Sequence, residues 1–238
     1  MDDNLLLRLM SGSDIPMPEL GLTLHQPTIA EVAAMGKEDY FIAAQCLMID
    51  KEQVVKDDVD LSSVTNFQIF MEVFTKQGDK RICIENLLSV FFPNHKISYT
   101  PRAIVIKRDK DNFIIDEGNF TYFQSIIEAL FSFSKSDGED FNTVSDKARE
   151  IAEKLKRARQ RVAAQKKDGE GEVISQYLSV LAVGLQMNLQ DLLKLTVYQL
   201  FDLMERYSLY TNWDLDIRSR LAGADIQSEP EDWRKIIH

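Results

Sequence analysis

Apolar residues recur at helical spacing along much of the chain. Phe67, Phe70, Met71 and Phe74 follow the i, i+3, i+4, i+7 pattern of one buried helical face. Before them, Thr28 is followed three residues later by a glutamate, which is the capping-box pattern of a helix start. The same reasoning predicts five further helices: Tyr40–Met48, Lys80–Phe92, a helix capped by Asn119, and helices capped by Asn188 and Thr196.

The hydrophobic period shortens between residues 97 and 117. Ala103–Ile106 and Phe113–Ile115 are apolar runs that flank the polar tetrad Asp109–Asn112. This pattern predicts a β-hairpin near residues 103–116, joined by a turn of four to five residues. The expected fold class is therefore α+β and predominantly α-helical, with a mixed N-terminal lobe that contains the hairpin and an all-helical C-terminal lobe.

Residues 1–26 do not follow the helical pattern throughout. Pro16 and Pro18 bracket Met17, and this arrangement favours extended backbone. We therefore predict an extended N-terminal arm. An arm that buries little surface by itself would use its apolar side chains on a neighbour, and the candidate contact residues are Leu5, Leu6, Leu7 and Leu9.

The segment Ser145–Lys167 is strongly basic. It has nine Lys and Arg residues against three acids, whereas the whole chain carries a net charge of -10. Its apolar residues form a narrow seam with spacing 4, 3 and 4, which is close to a coiled-coil stripe. The segment is predicted to be a projecting helix, and it divides the chain into four parts: 1–26 as the arm, 27–134 as the mixed lobe, 135–171 as a loop and basic helical connector, and 172–238 as the helical lobe.

The composition indicates the cellular compartment of the protein and its structural class. The chain has 238 residues, 45% of them hydrophobic and 28% charged, which is typical of a globular protein. Two cysteines far apart indicate buried thiols in a reduced compartment rather than a disulfide framework. The acidic start does not match a signal peptide, and no apolar run is long enough to cross a membrane.

No local motif indicates catalysis. The three histidines His25, His95 and His238 have no second ligand residue at metal-binding spacing, so no metal site is predicted. The glycines form no phosphate-binding loop, and Cys46 and Cys83 lie on apolar helical faces. We predict a non-enzymatic protein without a cofactor. A hydrolase with carboxylates brought together by the fold stays open as an alternative.

The basic segment allows three interpretations: contact with nucleic acid, contact with an acidic protein surface, or a solvated extension. Aromatic residues are absent from it, and the remaining net charge of -16 would repel a polyanion. These features favour a protein contact and disfavour nucleic acid. Its apolar face also lacks the Trp, Phe and Leu of a membrane-surface helix.

Two regions resemble proteins encoded in the tail modules of tailed bacteriophages. The segment IPMPELGLTLHQPTIAEVAAMGKEDYF is similar to the opening of small structural and assembly proteins of that group. The run YLSVLAVGLQMNLQDLLKLTVYQLFDLMERY, followed by WDLDIRSRLAGA, is similar to their helical ending. Together the two regions cover about half of the chain, and the resemblance extends to both baseplate components and tail assembly chaperones.

The resemblance implies a structural or assembly protein of the phage tail or baseplate that acts through protein contacts. Its partners would be other tail or baseplate proteins, with self-association as a further candidate, and its location would be the virion or the host cytoplasm during assembly. An assembly chaperone absent from the mature virion and a nucleic-acid-binding adaptor are the alternatives. The predicted contact residues are the four arm leucines and, in the basic helix, Arg157, Arg159 and Arg161.

Overall fold

The computed structural model describes residues 2–51, 64–74, 78–131, 171–223, 229 and 232–234. Over these residues the protein is a predominantly helical α+β structure, which confirms the predicted fold class. Its helices are α1 (Asp3–Ser11), α2 (Ile29–Met35), α3 (Lys37–Leu47), α4 (Asn66–Ile69), α5 (Gly78–Phe91), α6 (Phe120–Leu130), α7 (Gly171–Gly184), α8 (Leu189–Leu192) and α9 (Val197–Leu221). Its strands are β1 (Ile15–Met17), β2 (Leu22–Leu24), β3 (Lys96–Thr100), β4 (Ala103–Arg108) and β5 (Asp111–Ile115).

The strands form two small antiparallel sheets. β1 and β2 make a hairpin in which Ile15 pairs with Leu24. β3, β4 and β5 form a three-stranded meander in that order. The predicted hairpin is thus confirmed as β4–β5, but the length of its turn is not. Arg108 pairs with Asp111, so only two residues turn the chain, and the first of them takes a positive φ of 52°.

The extended arm predicted for residues 1–26 is wrong in its first half. Residues 3–11 form α1, because the Asp2 side chain accepts a hydrogen bond from the Asn4 amide and Gly12 ends the helix in the left-handed conformation. Only the stretch around the two prolines is extended, as β1 and a short 3₁₀ turn at Pro18–Leu20. The whole region packs on the core.

The hydrophobic core contains a cluster of aromatic side chains from α4, from the turn that follows it and from α6. The Phe120 ring lies 5.1 Å from the Phe67 ring and 5.2 Å from the Phe70 ring, measured between centroids. Gln124 is buried among them, and its Nε2 donates to the Leu47 carbonyl at 3.0 Å and to the Ile49 carbonyl at 2.9 Å. This amide therefore satisfies the carbonyls at the end of α3 within an apolar core. Phe67, Phe70 and Met71 are buried as predicted, and the residues from Phe70 to Phe74 adopt a π-helix.

Three of the predicted helix starts have side-chain caps. Thr28, Thr196 and Asn188 each accept a hydrogen bond from a backbone amide in the first turn, and the two threonines complete capping boxes. The predicted cap at Asn119 is wrong. Its side chain turns back toward the sheet, where Oδ1 accepts from the Asp116 amide at 2.9 Å and Nδ2 donates to the Ile114 carbonyl at 3.0 Å.

The N-terminal region and the C-terminal helices share one core. Thr28 and Thr196 form an isolated antiparallel bridge, which places the capping boxes of α2 and α9 side by side. The Ile29 amide donates to the Leu195 carbonyl at 2.9 Å, and the Gln199 side chain donates to the Met10 carbonyl at 2.8 Å. Residues of the N-terminal region, from 10 to 29, are therefore held against residues 195–199 at the start of α9.

Candidate protein-contact surface

Helix α9 extends well beyond the core on which it is anchored. At 1.5 Å per residue its 25 residues span about 37 Å. Only Val197, Tyr198 and Leu200, all in its first turn, are buried. Leu203 and Tyr207 still pack against the core, but no side chain of α9 beyond Tyr207 does so within the described part of the chain. The last four turns are thus a distal half without a core to cover.

The apolar stripe of α9 does not stop where the core stops. Leu203 and Tyr207 belong to a face that continues through Tyr210, Trp213, Ile217 and Leu221, because residues three and four apart lie above one another on a helix. We call these last four residues the distal stripe. Tyr210 and Leu221 are exposed, Leu221 to 83%, whereas Trp213 and Ile217 are half-buried. A stripe that outruns its core is typical of a helix that meets another partner.

Both tryptophans of the chain meet at this stripe. The Tyr210 ring lies 6.2 Å from the Trp213 ring, and it meets the Trp233 ring edge to face at 5.5 Å. Aromatic residues are enriched in protein interfaces because a large apolar surface is carried on few rotatable bonds. The concentration of tryptophan and tyrosine here indicates an interface anchor rather than a solvated helix end.

Charged side chains border the distal stripe as balanced pairs. Arg218 Nε lies 2.9 Å from Asp214 Oδ2, and Arg220 Nη2 lies 3.1 Å from Asp216 Oδ2, both with the acid four residues before the base. This order supports the helix by about 0.2–0.5 kcal/mol per pair. Arg234 pairs similarly with Asp232. The surface therefore has an apolar centre and a polar rim without a large excess of either charge.

The four arm leucines predicted as contact residues have different environments. Leu9 is completely buried, so its predicted role in a partner contact is wrong, because its side chain belongs to the core. Leu5 and Leu6 are half-buried against that core. Leu7 is 67% exposed, with Met10 one turn further along α1. Of the four, Leu7 is the side chain that a partner could reach directly. The predicted contact residues Arg157, Arg159 and Arg161 lie outside the described residues.

The structure joins one group of ionisable side chains that the sequence spacing does not reveal. His25 has Asp14 Oδ1 3.0 Å from its Nδ1 and Glu31 Oε2 3.1 Å from its Nε2. Partial burial lowers the pKa of His25, but hydrogen bonds with Glu31 and Asp14 outweigh burial, so the pKa is raised. The cluster links the start of β1 to α2 and serves as a structural clasp.

The thiols lie in environments that disfavour nucleophilic chemistry. Cys46 and Cys83 are free and buried, and desolvation by burial raises the pKa of each thiol.

His95 is a turn residue whose Nδ1 contacts the Pro93 carbonyl at 2.9 Å. Within the described ranges, no group of three or more His, Cys, Asp or Glu side chains could hold a metal ion.

An open cleft lies between α4 and the loop that precedes α6. Gln68 Nε2 donates to Glu117 Oε1 across it at 3.0 Å, and Arg102 and Glu72 line its sides. The described lining contains carboxylates and a guanidinium but no histidine, cysteine or serine. It therefore presents no nucleophile paired with a base, and it is a weaker candidate site than the distal stripe.

A protein-family comparison points to the same end of the chain. Residues 165–238 match the family model described as the YomV second domain, and this domain belongs to a phage-derived protein family. The match covers α7, α8 and α9, about a third of the chain. No curated protein and no solved structure shows a significant match. The similarity connects the C-terminal helices with phage proteins. In addition, no helix among the described residues is long and apolar enough to cross a membrane.

Proposed function

We propose that this protein is a non-enzymatic structural or assembly protein of a phage tail or baseplate, and that it binds a protein partner through the distal stripe of α9. The observation that carries the proposal is the continuation of the apolar face of α9 for four turns beyond its core, with both tryptophans at its centre. The similarity to a phage-derived domain over the same helices supports the phage setting. The tail or baseplate location rests on the resemblance of the two sequence regions.

The partner chemistry follows from the surface. A mixed apolar and aromatic centre with balanced ion pairs at its rim suits an apolar groove or helix face on another protein. It does not suit a polyanion, because Arg218, Arg220 and Arg234 are each paired with an aspartate on the same surface. Protein partners are therefore favoured over nucleic acid at this site.

Mass spectrometry of purified particles against the lysate of infected or induced cells tests the role. Peptides of this chain at a fixed ratio to known tail proteins would support a virion component. Peptides in the lysate alone, in complex with tail proteins, would support an assembly chaperone. A chain that is absent from particles and bound to no tail protein would overturn the proposal, and DNA binding that weakens steeply with salt would favour the adaptor alternative.

A further inference from the structure

The outer face of α7 is unusual for an exposed helix. Residues 173–190 contain no Asp, Glu, Lys or Arg, although 28% of the chain is charged. One side of α7 faces the core through Ile174, Tyr177, Leu178 and Leu181. The opposite side is exposed, and Val183, near the C-terminal end of α7, is 81% accessible to solvent. An uncharged run is expected where a helix is buried on all sides, but here half of it lies on the surface.

The exposed half of α7 forms a defined patch. Ser175, Gln176, Ser179, Val180 and Val183 lie on one side of the helix, as their spacing requires. The Ser179 hydroxyl donates to the Ser175 carbonyl at 3.0 Å, so it is satisfied within the helix and needs no outside partner. We call these five residues the neutral face. Leu185 and Leu189, which follow α7 in the chain, are also exposed. Charge depletion around exposed apolar side chains is typical of the centre of an interface.

We propose that the neutral face is the contact between two copies of this chain, with α7 of one copy packed against α7 of the other across a two-fold axis near Ser179. The charge of the chain selects this occupant. Outside the basic segment each copy carries a net charge of -16, so contacts between these acidic surfaces bring like charges together. The neutral face is a place where two copies can touch without that repulsion, and a two-fold axis makes it its own partner.

The chain's own basic segment is a poor occupant of this face. Ser145–Lys167 carries nine basic and three acidic residues, and it would find no acidic side chain on the neutral face to pair with. Its charges are better matched by acidic surfaces elsewhere. The second copy is therefore favoured over this segment by electrostatics alone.

The size of the face sets the expected affinity. Fourteen residues of helix are about 21 Å long. A helix pair of that length buries less than the roughly 800 Å² per partner of a standard interface, so we expect a dissociation constant on the order of 10 μM. Salt should strengthen the dimer, because it screens the repulsion between two chains of charge -10 while leaving a neutral contact unchanged.

Sedimentation velocity of the full chain tests the proposal at concentrations from about 1 to about 200 μM, at low and at high salt. We expect a monomer–dimer equilibrium that salt shifts toward the dimer. Val183→Glu should raise the dissociation constant at least about tenfold, because a buried unpaired charge is costly. The matched control is Leu215→Glu, which changes a 63% exposed leucine of α9 away from the distal stripe and adds the same charge; it should leave the dimer intact.

A cysteine variant keeps the test independent of any folding defect. Ser179→Cys should form an intermolecular disulfide under mild oxidation, whereas Thr211→Cys, on the exposed surface of α9, should not. A chain that stays monomeric at every concentration, a dimer that Val183→Glu leaves unchanged, or a dimer that salt dissociates would overturn the proposal. These outcomes do not depend on the distal stripe, so failure here and failure of the proposed function are distinguishable.

Discussion

Helices α6 and α9 use their apolar residues in opposite ways. In α6, seven of eleven residues are buried, and they include Phe120 and Phe123 at the centre of the core. In α9, three of 25 residues are buried, although its apolar stripe runs nearly from end to end. The apolar face of α6 packs on the core and therefore stabilises the fold. The apolar face of α9 continues beyond the core, so its distal part lies on the surface. The comparison teaches that the two ends of α9 have different roles, anchoring at the start and contact at the end.

The largest expected effect is the difference in the free energy of unfolding between a core variant and a surface variant. Phe120→Ala should lower the free energy of unfolding by about 3–5 kcal/mol, because it removes a fully buried ring from the centre of the core. Leu221→Ala, at the exposed end of α9, should change it by less than about 0.5 kcal/mol. Urea denaturation followed by circular dichroism measures both. Equal losses in the two variants would mean that the distal half of α9 is part of the cooperative core.

A glycine variant tests how α7 is held on α9. An added Cβ at Gly184 would overlap the Tyr207 hydroxyl, so Gly184→Ala should cost about 1–3 kcal/mol. Gly78→Ala is the matched control, since nothing lies within 4 Å of its added Cβ, and it should be neutral or slightly stabilising. Adding Tyr207→Ala should suppress part of the loss caused by Gly184→Ala. Additive effects of the two substitutions would show that the helices do not meet at this point.

The adjacent capping boxes should contribute less than the packing of α7. Thr196→Ala removes the side chain that accepts a hydrogen bond from the Gln199 amide at 3.2 Å, and we expect a loss of about 1 kcal/mol. Thr196→Ser keeps the hydroxyl and should retain most of the stability. The midpoint of urea unfolding distinguishes them, and a serine variant as unstable as the alanine variant would argue against the cap as the cause.

Local sequence patterns predict much of the fold, but they do not predict the contacts at the surface. The capping boxes at Thr28 and Thr196 and the β4–β5 hairpin depend on residues a few positions apart, so the sequence contains the whole signal. The sequence also contains the signals for α1, which are an aspartate before four leucines and a glycine after them. The two prolines that follow favoured the prediction of an extended arm instead. The edge-to-face contact between Trp233 and Tyr210 joins residues far apart in the chain, and no local pattern predicts it.

The smallest expected effect concerns the His25 clasp, which the sequence could not reveal because its carboxylates come from different elements. Since the folded-state pKa of His25 is raised, the clasp stabilises the fold fully below the unfolded pKa of about 6.5, and this contribution is lost as the pH rises through the higher folded value. Lowering the pH from about 8 to about 6 should therefore stabilise the wild type over His25→Gln by a few tenths to about 1 kcal/mol. Parallel unfolding curves at both pH values would contradict the clasp.

The yield of infectious particles tests the central claim most directly. In cells where a plasmid supplies the only copy of this protein, Leu221→Asp changes the distal stripe, while Leu215→Asp makes the same substitution on another side of α9. Both leucines are exposed, so both variants should unfold at the wild-type urea concentration. We predict that the yield falls at least about tenfold for Leu221→Asp, in line with the loss of an interface anchor, and stays at the wild-type level for Leu215→Asp. A stable Leu221→Asp variant with full yield would contradict a functional role for the distal stripe.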